Sequence, residues 1–183
     1  FQTGLSPHDY LNEPGFEPDI HLNPPLAGLE AARQLLERTG VESGRPLIAL
    51  NPGAFFGSAK RWFVDRYAAL ADLLTRKQGA QILILGSAGE NGIAEAVEKL
   101  MHHSPVDLTG ATDLAALMAV ISMCDLFVTN DSGPMHLAAA LGTPLIALFG
   151  STDEIATGPF SAAAHVIHKH VECSPCLLRE CPL

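Results

Sequence analysis

Basic residues are scarce in this chain of 183 residues, which carries 11 lysines and arginines against 20 aspartates and glutamates. Proteins that bind nucleic acid neutralise backbone phosphates with lysine and arginine, and no basic stripe is visible, so we expect no nucleic-acid partner. No apolar run approaches the roughly 20 residues that a membrane-spanning helix needs, which favours a soluble, cytosolic protein. Hydrophobic residues make up 48% of the chain, enough for a buried core, and this excludes a disordered protein.

The first 26 residues are rich in proline, which blocks regular helix and favours an extended connection. The chain also starts at Phe1 rather than at a methionine. We therefore expect residues 1–26 to be an interdomain linker or the start of a lobe, and residues 27–183 to form the lobe itself. A further part of the protein is expected to precede it.

Beyond residue 26, apolar runs of strand length alternate with segments of helical period, which is typical of a parallel sheet built from βα units. Strands, each apolar on both faces, are predicted at residues 46–51, 80–86, 106–110, 125–130, 143–150 and 165–168. Apolar residues at helical spacing predict helices around residues 29–36, 67–74, 93–101 and 114–121. The last of these is expected to bury Leu114, Leu117, Met118 and Ile121. The expected fold is α/β, a Rossmann-like parallel sheet with helices on both faces.

Glycines follow the predicted strands, at Gly53, Gly86, Gly110, Gly133 and Gly150. The carboxyl ends of the strands form the ligand crevice of an open parallel sheet, and glycine there lets the backbone approach a ligand closely. The alternative is that these loops need glycine only for turn geometry. Because five strands in turn show the same feature, a binding edge is the better interpretation.

The segment 129–136, TNDSGPMH, runs from a strand end into a predicted helix. Asp131 or Ser132 could cap this helix, and Pro134 suits its first turn. The N–H groups and the dipole at such a helix start attract an anion, and His136 could add a positive charge beside a diphosphate. The alternative is an ordinary capped helix with an incidental histidine. A Ser-His-Asp hydrolase does not fit, because the chain has no G-x-S-x-G turn.

The loop after the first predicted strand, 51–62, has the sequence NPGAFFGSAKRW. It combines Gly53, hydroxyl and amide donors, and the adjacent cations Lys60 and Arg61, a combination that suits a nucleotide phosphate. It is neither a P-loop nor the dinucleotide fingerprint G-x-G-x-x-G. The alternative is that the two cations are simply solvated.

Two more loops carry polar residues at strand ends, 86–90 and 108–113. Glu90 could accept hydrogen bonds from ribose hydroxyls, as the acidic residue of dinucleotide-binding folds does. It could equally be an acid that stabilises a helix start. Thr112 is a candidate cap for the next helix.

The end of the chain combines three cysteines with three histidines, namely Cys173, Cys176, Cys181, His165, His168 and His170. Such residues can bind zinc, but a strong site would show paired C-x-x-C units. We therefore expect reduced cysteines in a terminal loop and no metal cofactor.

Three segments together resemble the carboxyl-terminal half of the bacterial heptosyltransferases of glycosyltransferase family nine. They are NPGAFFGSAKRW, the block from LTGATD to LFGSTD, and the ending CSPCLLRECPL. The resemblance covers residues 46–183, and the PGA-x-FG-x-AKRW form most resembles the type II enzymes. One departure is Phe63, where the family usually has proline after K-R-W. The resemblance implies the carboxyl-terminal lobe of a GT-B glycosyltransferase, which has two Rossmann-like lobes facing across a cleft.

The resemblance also implies an activity. The whole enzyme would transfer L-glycero-D-manno-heptose from ADP-heptose to the inner core of lipopolysaccharide with inversion, without a metal. This lobe would bind the donor, while the amino-terminal lobe would hold the acceptor and the general base. The base is expected to be an aspartate of that other lobe, so no catalytic residue is assigned here. The implied location is the cytoplasm, with contact to the inner face of the bacterial inner membrane through the other lobe.

Residues matched by position give the donor site that the resemblance implies. Lys60 would meet the diphosphate and Glu90 the ribose, with the heptose and diphosphate contacted by Asp131, Ser132, Gly133 and His136. Gly53, Ala54 and Thr112 would lie near the donor. Three alternatives stay open: another GT-B enzyme, such as a sugar epimerase, that uses a different nucleotide sugar; a non-catalytic nucleotide-binding module; and a metal or redox module centred on the cysteines and histidines.

Overall fold

The computed structural model describes residues 20–182 of the chain. Most of the proline-rich linker predicted at residues 1–26 therefore lies outside the described residues. Residues 20–25 contain no helix or strand, and the Leu22 N–H donates to the carbonyl of Ala140 at 2.8 Å. This hydrogen bond attaches the start of the described chain to the body of the fold.

Six strands lie within the described residues: β1 Leu47–Asn51, β2 Gln81–Ile84, β3 Val106–Asp107, β4 Leu126–Asn130, β5 Leu145–Phe149 and β6 Ala164–His168. They form one sheet in the order β3-β2-β1-β4-β5-β6, and all neighbours pair in parallel. This is the order of a doubly wound Rossmann-type sheet. All six predicted strands are confirmed, and the direction in which the sheet grows reverses between β1 and β4.

Helices cover both faces of the sheet, as predicted. They are α1 Leu26–Arg38, α2 Val64–Gln78, α3 Asn91–Glu98, α4 Leu114–Ser122, α5 Gly133–Ala140 and the single turn α6 Glu154–Thr157. The alternation of side chains along β1 shows how two cores arise. Ile48 and Leu50 pack with Tyr67 under α2 and α3, whereas Leu47 and Ala49 belong to the core under α1, α4 and α5.

One expectation about burial is wrong, and a second is only partly right. β6 is an edge strand, so its Val166 and Ile167 are 40% and 55% exposed instead of buried on both faces. The buried face of α4 is Ala116, Ala119, Val120 and Ile121. Of the four residues predicted to be buried on this helix, Ile121 is buried, Leu117 and Met118 are partly buried, and Leu114 is 63% exposed. A side chain at Gly28 would collide with the carbonyl of Ala115, so small residues let α1 pack closely against the alanine side of α4.

A buried carboxylate ties α2 to the segment after α3. Asp72 accepts hydrogen bonds from the backbone N–H groups of His102 and His103, and the two ring Nδ1 atoms lie 2.8 and 2.9 Å from it. Burial acts to raise the pKa of Asp72, but the hydrogen bonds from His102 and His103 outweigh it and hold the pKa well below its usual range. Because the folded-state pKa is lowered, this stabilisation is complete above about pH 4, near the unfolded value, and is lost as the pH falls further.

Replacement of Asp72 by asparagine tests this link. We expect the free energy of unfolding at pH 7 to fall by about 1–3 kcal/mol, since hydrogen bonds to a charged acceptor are lost. The loss of stability below about pH 4 should also become shallower, because the group that must be protonated is gone. Urea unfolding at a series of pH values measures both effects. Asp65→Asn, at an exposed carboxylate, is the control, and equal acid slopes in Asp72→Asn and the unmutated chain would contradict the assignment.

Candidate functional site

A cavity of about 730 Å³ opens at the carboxyl ends of β1 and β4, where the strand order reverses. Ligands of doubly wound sheets bind in this crevice. The cavity is lined by eight of the nine predicted donor residues: Ala54, Lys60, Glu90, Thr112, Asp131, Ser132, Gly133 and His136. The ninth, Gly53, lies directly behind Glu90. The fold thus brings together loops that are up to about 80 residues apart in the sequence.

An ion pair lies in this cavity. Lys60 Nζ is 2.6 Å from Asp131 Oδ2, and the two side chains are only 14% and 6% exposed. The same oxygen accepts hydrogen bonds from the hydroxyls of Thr152 at 2.6 Å and Thr157 at 3.4 Å. The interpretation of Lys60 as a solvated cation is therefore wrong. Its neighbour Arg61 is also engaged, since it donates to the carbonyl of Ala54 at 3.1 Å.

The start of α5 carries no side-chain cap, so the prediction that Asp131 or Ser132 caps this helix is wrong. Asp131 is held by the contacts just described. Ser132 occupies the N-cap position, but its hydroxyl lies 3.1 Å from both Thr129 Oγ1 and Asn51 Nδ2. Pro134 has no N–H to offer, so the first turn presents mainly the Gly133 N–H and the positive end of the helix dipole. The exposed His136 follows on the same side of the cavity.

Asn130, at the end of β4, organises the loop that carries Lys60. Its Nδ2 donates to the carbonyls of Pro52 and Gly53 at 2.9 and 3.1 Å. Its Oδ1 accepts from the Trp62 N–H at 2.9 Å and from the Tyr67 hydroxyl at 3.1 Å. Burial raises the pKa of Tyr67, so the hydroxyl stays a donor. Sequence reasoning gave Asn130 no role, although its position at a strand end beside Asp131 was a signal.

Of the two roles considered for Glu90 from the sequence, the contacts at a helix start are present, and the contact with ribose stays a prediction. Its Oε2 accepts hydrogen bonds from the N–H and the hydroxyl of Ser87, both at 2.8 Å, which completes a capping box. Its Oε1 lies against Gly53, and a Cβ at that position would overlap it. Gly53 is therefore required for the close approach of two loops. Within residues 20–182, Oε1 accepts no hydrogen bond and can receive one from a ligand.

The cap of α4 is Asp113, which accepts a hydrogen bond from the Ala116 N–H at 2.8 Å. The expectation that Thr112 caps this helix is thus wrong, and Thr112 lines the cavity instead. The exposed Leu114 and the half-buried Leu117 of α4 add an apolar wall beside it.

Residues 174–179, which we call the covering segment, lie over the loop that carries Lys60. The Ala59 N–H donates to the Arg179 carbonyl at 3.0 Å. Two cations lie over the Phe56 ring, with Lys60 Nζ at 5.0 Å and the Arg179 guanidinium at 5.2 Å from its centroid. A side chain at Gly57 would overlap the Arg179 carbonyl. The covering segment therefore fixes the shape of the loop.

The three terminal cysteines are free thiols and do not form a ligand cluster in the described part of the chain. Within residues 20–182, the side chains placed close enough to hold a cation are Glu154, His168 and His170. Two of the three histidines considered for a metal module, His168 and His170, thus come together without the cysteines, whereas His165 is not part of the group. No helix among these residues is long and apolar enough to cross a membrane.

Comparison with known families gives one match that covers nearly the whole chain. The model of Glycosyltransferase family 9 (heptosyltransferase) matches residues 10–183. Lipooligosaccharide heptosyltransferase 2 of Campylobacter jejuni is 36% identical over 148 residues, which are 78% of this chain and 46% of that protein. Lipopolysaccharide heptosyltransferase 2 of Salmonella typhimurium is 43% identical over 131 residues, 69% of this chain and 37% of that protein. The chain thus spans less than half the length of these relatives.

Solved structures agree with this match. The structure of ADP-heptose LPS heptosyltransferase II of Escherichia coli superposes with a TM-score of 0.73 at 33% identity, covering 85% of this chain and 46% of that one. A family 9 glycosyltransferase of Veillonella parvula gives a TM-score of 0.76 at 30% identity, covering 81% and 42%. The α/β fold predicted from the sequence is therefore that of these glycosyltransferases.

Proposed function

The chain belongs to glycosyltransferase family 9, the heptosyltransferase family, and we propose that residues 27–183 form the lobe that binds the nucleotide-sugar donor. Residues 1–26 connect it, in this proposal, to an amino-terminal lobe that holds the acceptor. The observation that carries the proposal is the cavity at the strand-order reversal, which collects eight of the predicted donor residues from four separate segments of the chain. The proposed donor is ADP-heptose, which is named in the description of the Escherichia coli relative.

The diphosphate is placed beside Lys60 and the start of α5. The ammonium group of Lys60 donates one hydrogen bond to Asp131, and its other two N–H groups are available to phosphate oxygens. The Gly133 N–H, the helix dipole and His136 supply the remaining stabilisation. The Lys60–Asp131 pair has no net charge. The helix start and His136 therefore contribute more to stabilising the phosphate charge than the sequence suggested. Asp131 Oδ1 and the Ser132 hydroxyl are left to contact the heptose.

The nucleoside end of the donor is placed on the β2 side of the cavity. Glu90 Oε1 accepts hydrogen bonds from the ribose hydroxyls in this proposal, since its other oxygen is committed to Ser87. Ala54 and Thr112 border the same region, and Gly53 keeps Glu90 in place. The apolar wall of Leu114 and Leu117 offers a surface for the purine ring.

The proposed reaction is an inverting displacement at the anomeric carbon of heptose. The acceptor hydroxyl attacks, its proton passes to a general base of the other lobe, and the bond from the anomeric carbon to the diphosphate oxygen breaks. This chain stabilises the departing ADP through Lys60, His136 and the start of α5. The proposed acceptor is the lipopolysaccharide inner core. The proposed location is the cytoplasm at the inner face of the bacterial inner membrane, because this acceptor is anchored in lipid and the donor is a water-soluble nucleotide.

A hybrid enzyme tests the proposal. The chain is joined to the acceptor lobe of the Escherichia coli relative, and transfer from ADP-heptose to the inner-core acceptor is compared with transfer by the chain alone. We expect transfer by the hybrid, none by the chain alone, and a strong loss when His136 in the hybrid is replaced by alanine. Turnover by the chain alone would refute the placement of the base in the other lobe. A folded hybrid that binds ADP without transferring heptose would favour a non-catalytic nucleotide-binding module.

A further inference from the structure

A second group of polar side chains lies at the far edge of the sheet, outside the donor cavity. His168 is the last residue of β6 and pairs in register with Phe149, the last residue of β5. The loop after β5 leads into α6, which begins with Glu154. Because neighbouring parallel strands end at the same edge of a sheet, this loop brings Glu154 beside His168. His170 follows two residues later, so the extended chain presents it on the same side.

The three side chains are in direct contact. Glu154 Oε2 lies 2.6 Å from His168 Nδ1, and Glu154 Oε1 lies 3.5 Å from His170 Nε2. One ligand atom from each residue lies within 4.8 Å of the other two. The two imidazole rings are 4.3 Å apart between centroids. The His168 side chain is only 3% exposed, whereas His170 is 72% exposed, so the group is built on a buried base and open on one side.

We propose that Glu154, His168 and His170 form a binding site for a divalent cation of the zinc class. Two imidazoles and one carboxylate are a donor set that zinc favours, with a water in the fourth position. Tetrahedral zinc, with bonds of about 2.0–2.1 Å, places neighbouring ligand atoms about 3.3 Å apart. The Glu154–His170 separation is already close to this value. The Glu154–His168 pair opens by about 0.7 Å when a cation replaces the shared proton.

The surroundings of His168 match those of a metal ligand. Its Nε2 lies 2.7 Å from Ser174 Oγ, and Ser174 donates its own proton to the carbonyl of Gly150. Ser174 therefore accepts a hydrogen bond from Nε2–H, which leaves Nδ1 to face the cation. A hydrogen bond from the second ring nitrogen is how proteins fix the tautomer and orientation of a ligating histidine.

The site would fasten the covering segment to the donor loop. Ser174 attaches this segment to His168, and the Leu177 N–H donates to the Ser151 carbonyl at 2.7 Å. The segment then reaches Arg179, whose carbonyl holds the loop that carries Lys60. On the other side, α6 carries Thr157, which contacts Asp131. A cation at Glu154 thus connects α6 with the covering segment, both of which border the donor cavity. The cation itself does not touch the donor.

Metal titration of the chelator-treated chain tests the proposal, with Zn²⁺ in calorimetry and Co²⁺ in absorption spectroscopy. We expect one tight site whose Co²⁺ spectrum has weak visible bands and no intense near-ultraviolet thiolate band. His170→Ala removes an exposed ligand without disturbing the core and should weaken Zn²⁺ binding at least 10-fold. Ser174→Ala should weaken it about 10- to 100-fold, the usual cost of losing a partner of a ligating histidine. Added Zn²⁺ should raise the Tm of the unmutated chain but not that of His170→Ala.

Two control variants separate this site from other places where a cation could bind. His165→Ala removes an exposed histidine of the same strand and should leave the affinity unchanged. The triple variant Cys173→Ser, Cys176→Ser and Cys181→Ser should also keep it. A thiolate band, or loss of binding in the triple variant, would overturn the proposal in favour of a cysteine site. Equal Zn²⁺ affinity in His170→Ala and the unmutated chain would overturn it as well, leaving a buried Glu154–His168 hydrogen bond without a cation.

Discussion

Replacement of Lys60 by alanine is expected to weaken ADP binding by about 1–3 kcal/mol, or roughly 5- to 150-fold, because the proposed charge-assisted contact to the diphosphate is lost. The same change should lower the free energy of unfolding by about 3 kcal/mol, since it leaves the carboxylate of Asp131 buried without its cation. Thr152 and Thr157 still donate to this carboxylate, which keeps the cost from being larger. Calorimetric ADP titration and urea unfolding measure the two effects.

A double variant separates these two consequences. Lys60→Met combined with Asp131→Asn removes both charges of the pair, so most of the lost stability should return while ADP binding stays weak. Lys99→Ala is the control, because Lys99 forms an exposed pair with Glu95 at 3.5 Å and lies outside the cavity. Exposed pairs of this kind contribute about 0–1 kcal/mol. Unchanged ADP affinity in Lys60→Ala would show that Lys60 serves only the fold.

Replacement of Asn130 by alanine is expected to have the largest effect on stability, about 3–5 kcal/mol in the free energy of unfolding. The side chain makes four hydrogen bonds in a fully buried position, and its removal leaves two carbonyls, one N–H and one hydroxyl without this partner. Each unpaired buried group costs about 1–3 kcal/mol. The total is smaller than the sum, because the Tyr67 hydroxyl can donate to the Asn51 carbonyl instead and the loop can relax. Asn130→Asp should be at least as harmful, since it points an oxygen at the carbonyls of Pro52 and Gly53.

Trp62 is the only tryptophan of the chain, and its backbone N–H donates to Asn130. Its fluorescence therefore reports directly on the conformation of this loop. Urea unfolding followed by this fluorescence and by circular dichroism gives the stability of both Asn130 variants. Asn91→Ala, at the exposed start of α3, should change stability by about 0.5 kcal/mol or less. A loss below about 1 kcal/mol in Asn130→Ala would contradict the role of Asn130 as organiser of the loop.

The sheet could be predicted because apolar runs of strand length alternate with segments of helical period, and buried parallel strands leave continuous apolar runs. The exposed edge strand β6 could not be told from an inner strand, since Val166 and Ile167 are as apolar as the buried residues of β5. The buried face of α4 was predicted only in part, with Ile121 right and Leu114 wrong, for a related reason. Its leucine stripe and its alanine stripe are both apolar. The alanine stripe is buried because Gly28 of α1, far away in sequence, packs closely against it.

The residues that line the cavity could be predicted from the sequence, but the contacts between them could not. Strand ends, glycines and the resemblance identified eight residues that line the cavity. Local capping rules failed for Asp131, because its carboxylate binds Lys60, 71 residues earlier in the chain. The hydrogen bonds of Asn130 and the approach of Thr157 likewise connect distant segments. No spacing within one motif encodes such pairings, so they become visible only in the fold.

Calorimetric titration of the chain with ADP and with UDP tests the assignment of the cavity to an adenine nucleotide donor most directly. We expect ADP to bind as a single site and about tenfold more tightly than UDP, a difference of about 1.4 kcal/mol, because both share the diphosphate and ribose contacts and differ at the base. Loss of ADP binding in His136→Ala, with the fold intact, would place the nucleotide at the start of α5. Equal or tighter binding of UDP would contradict the donor assignment.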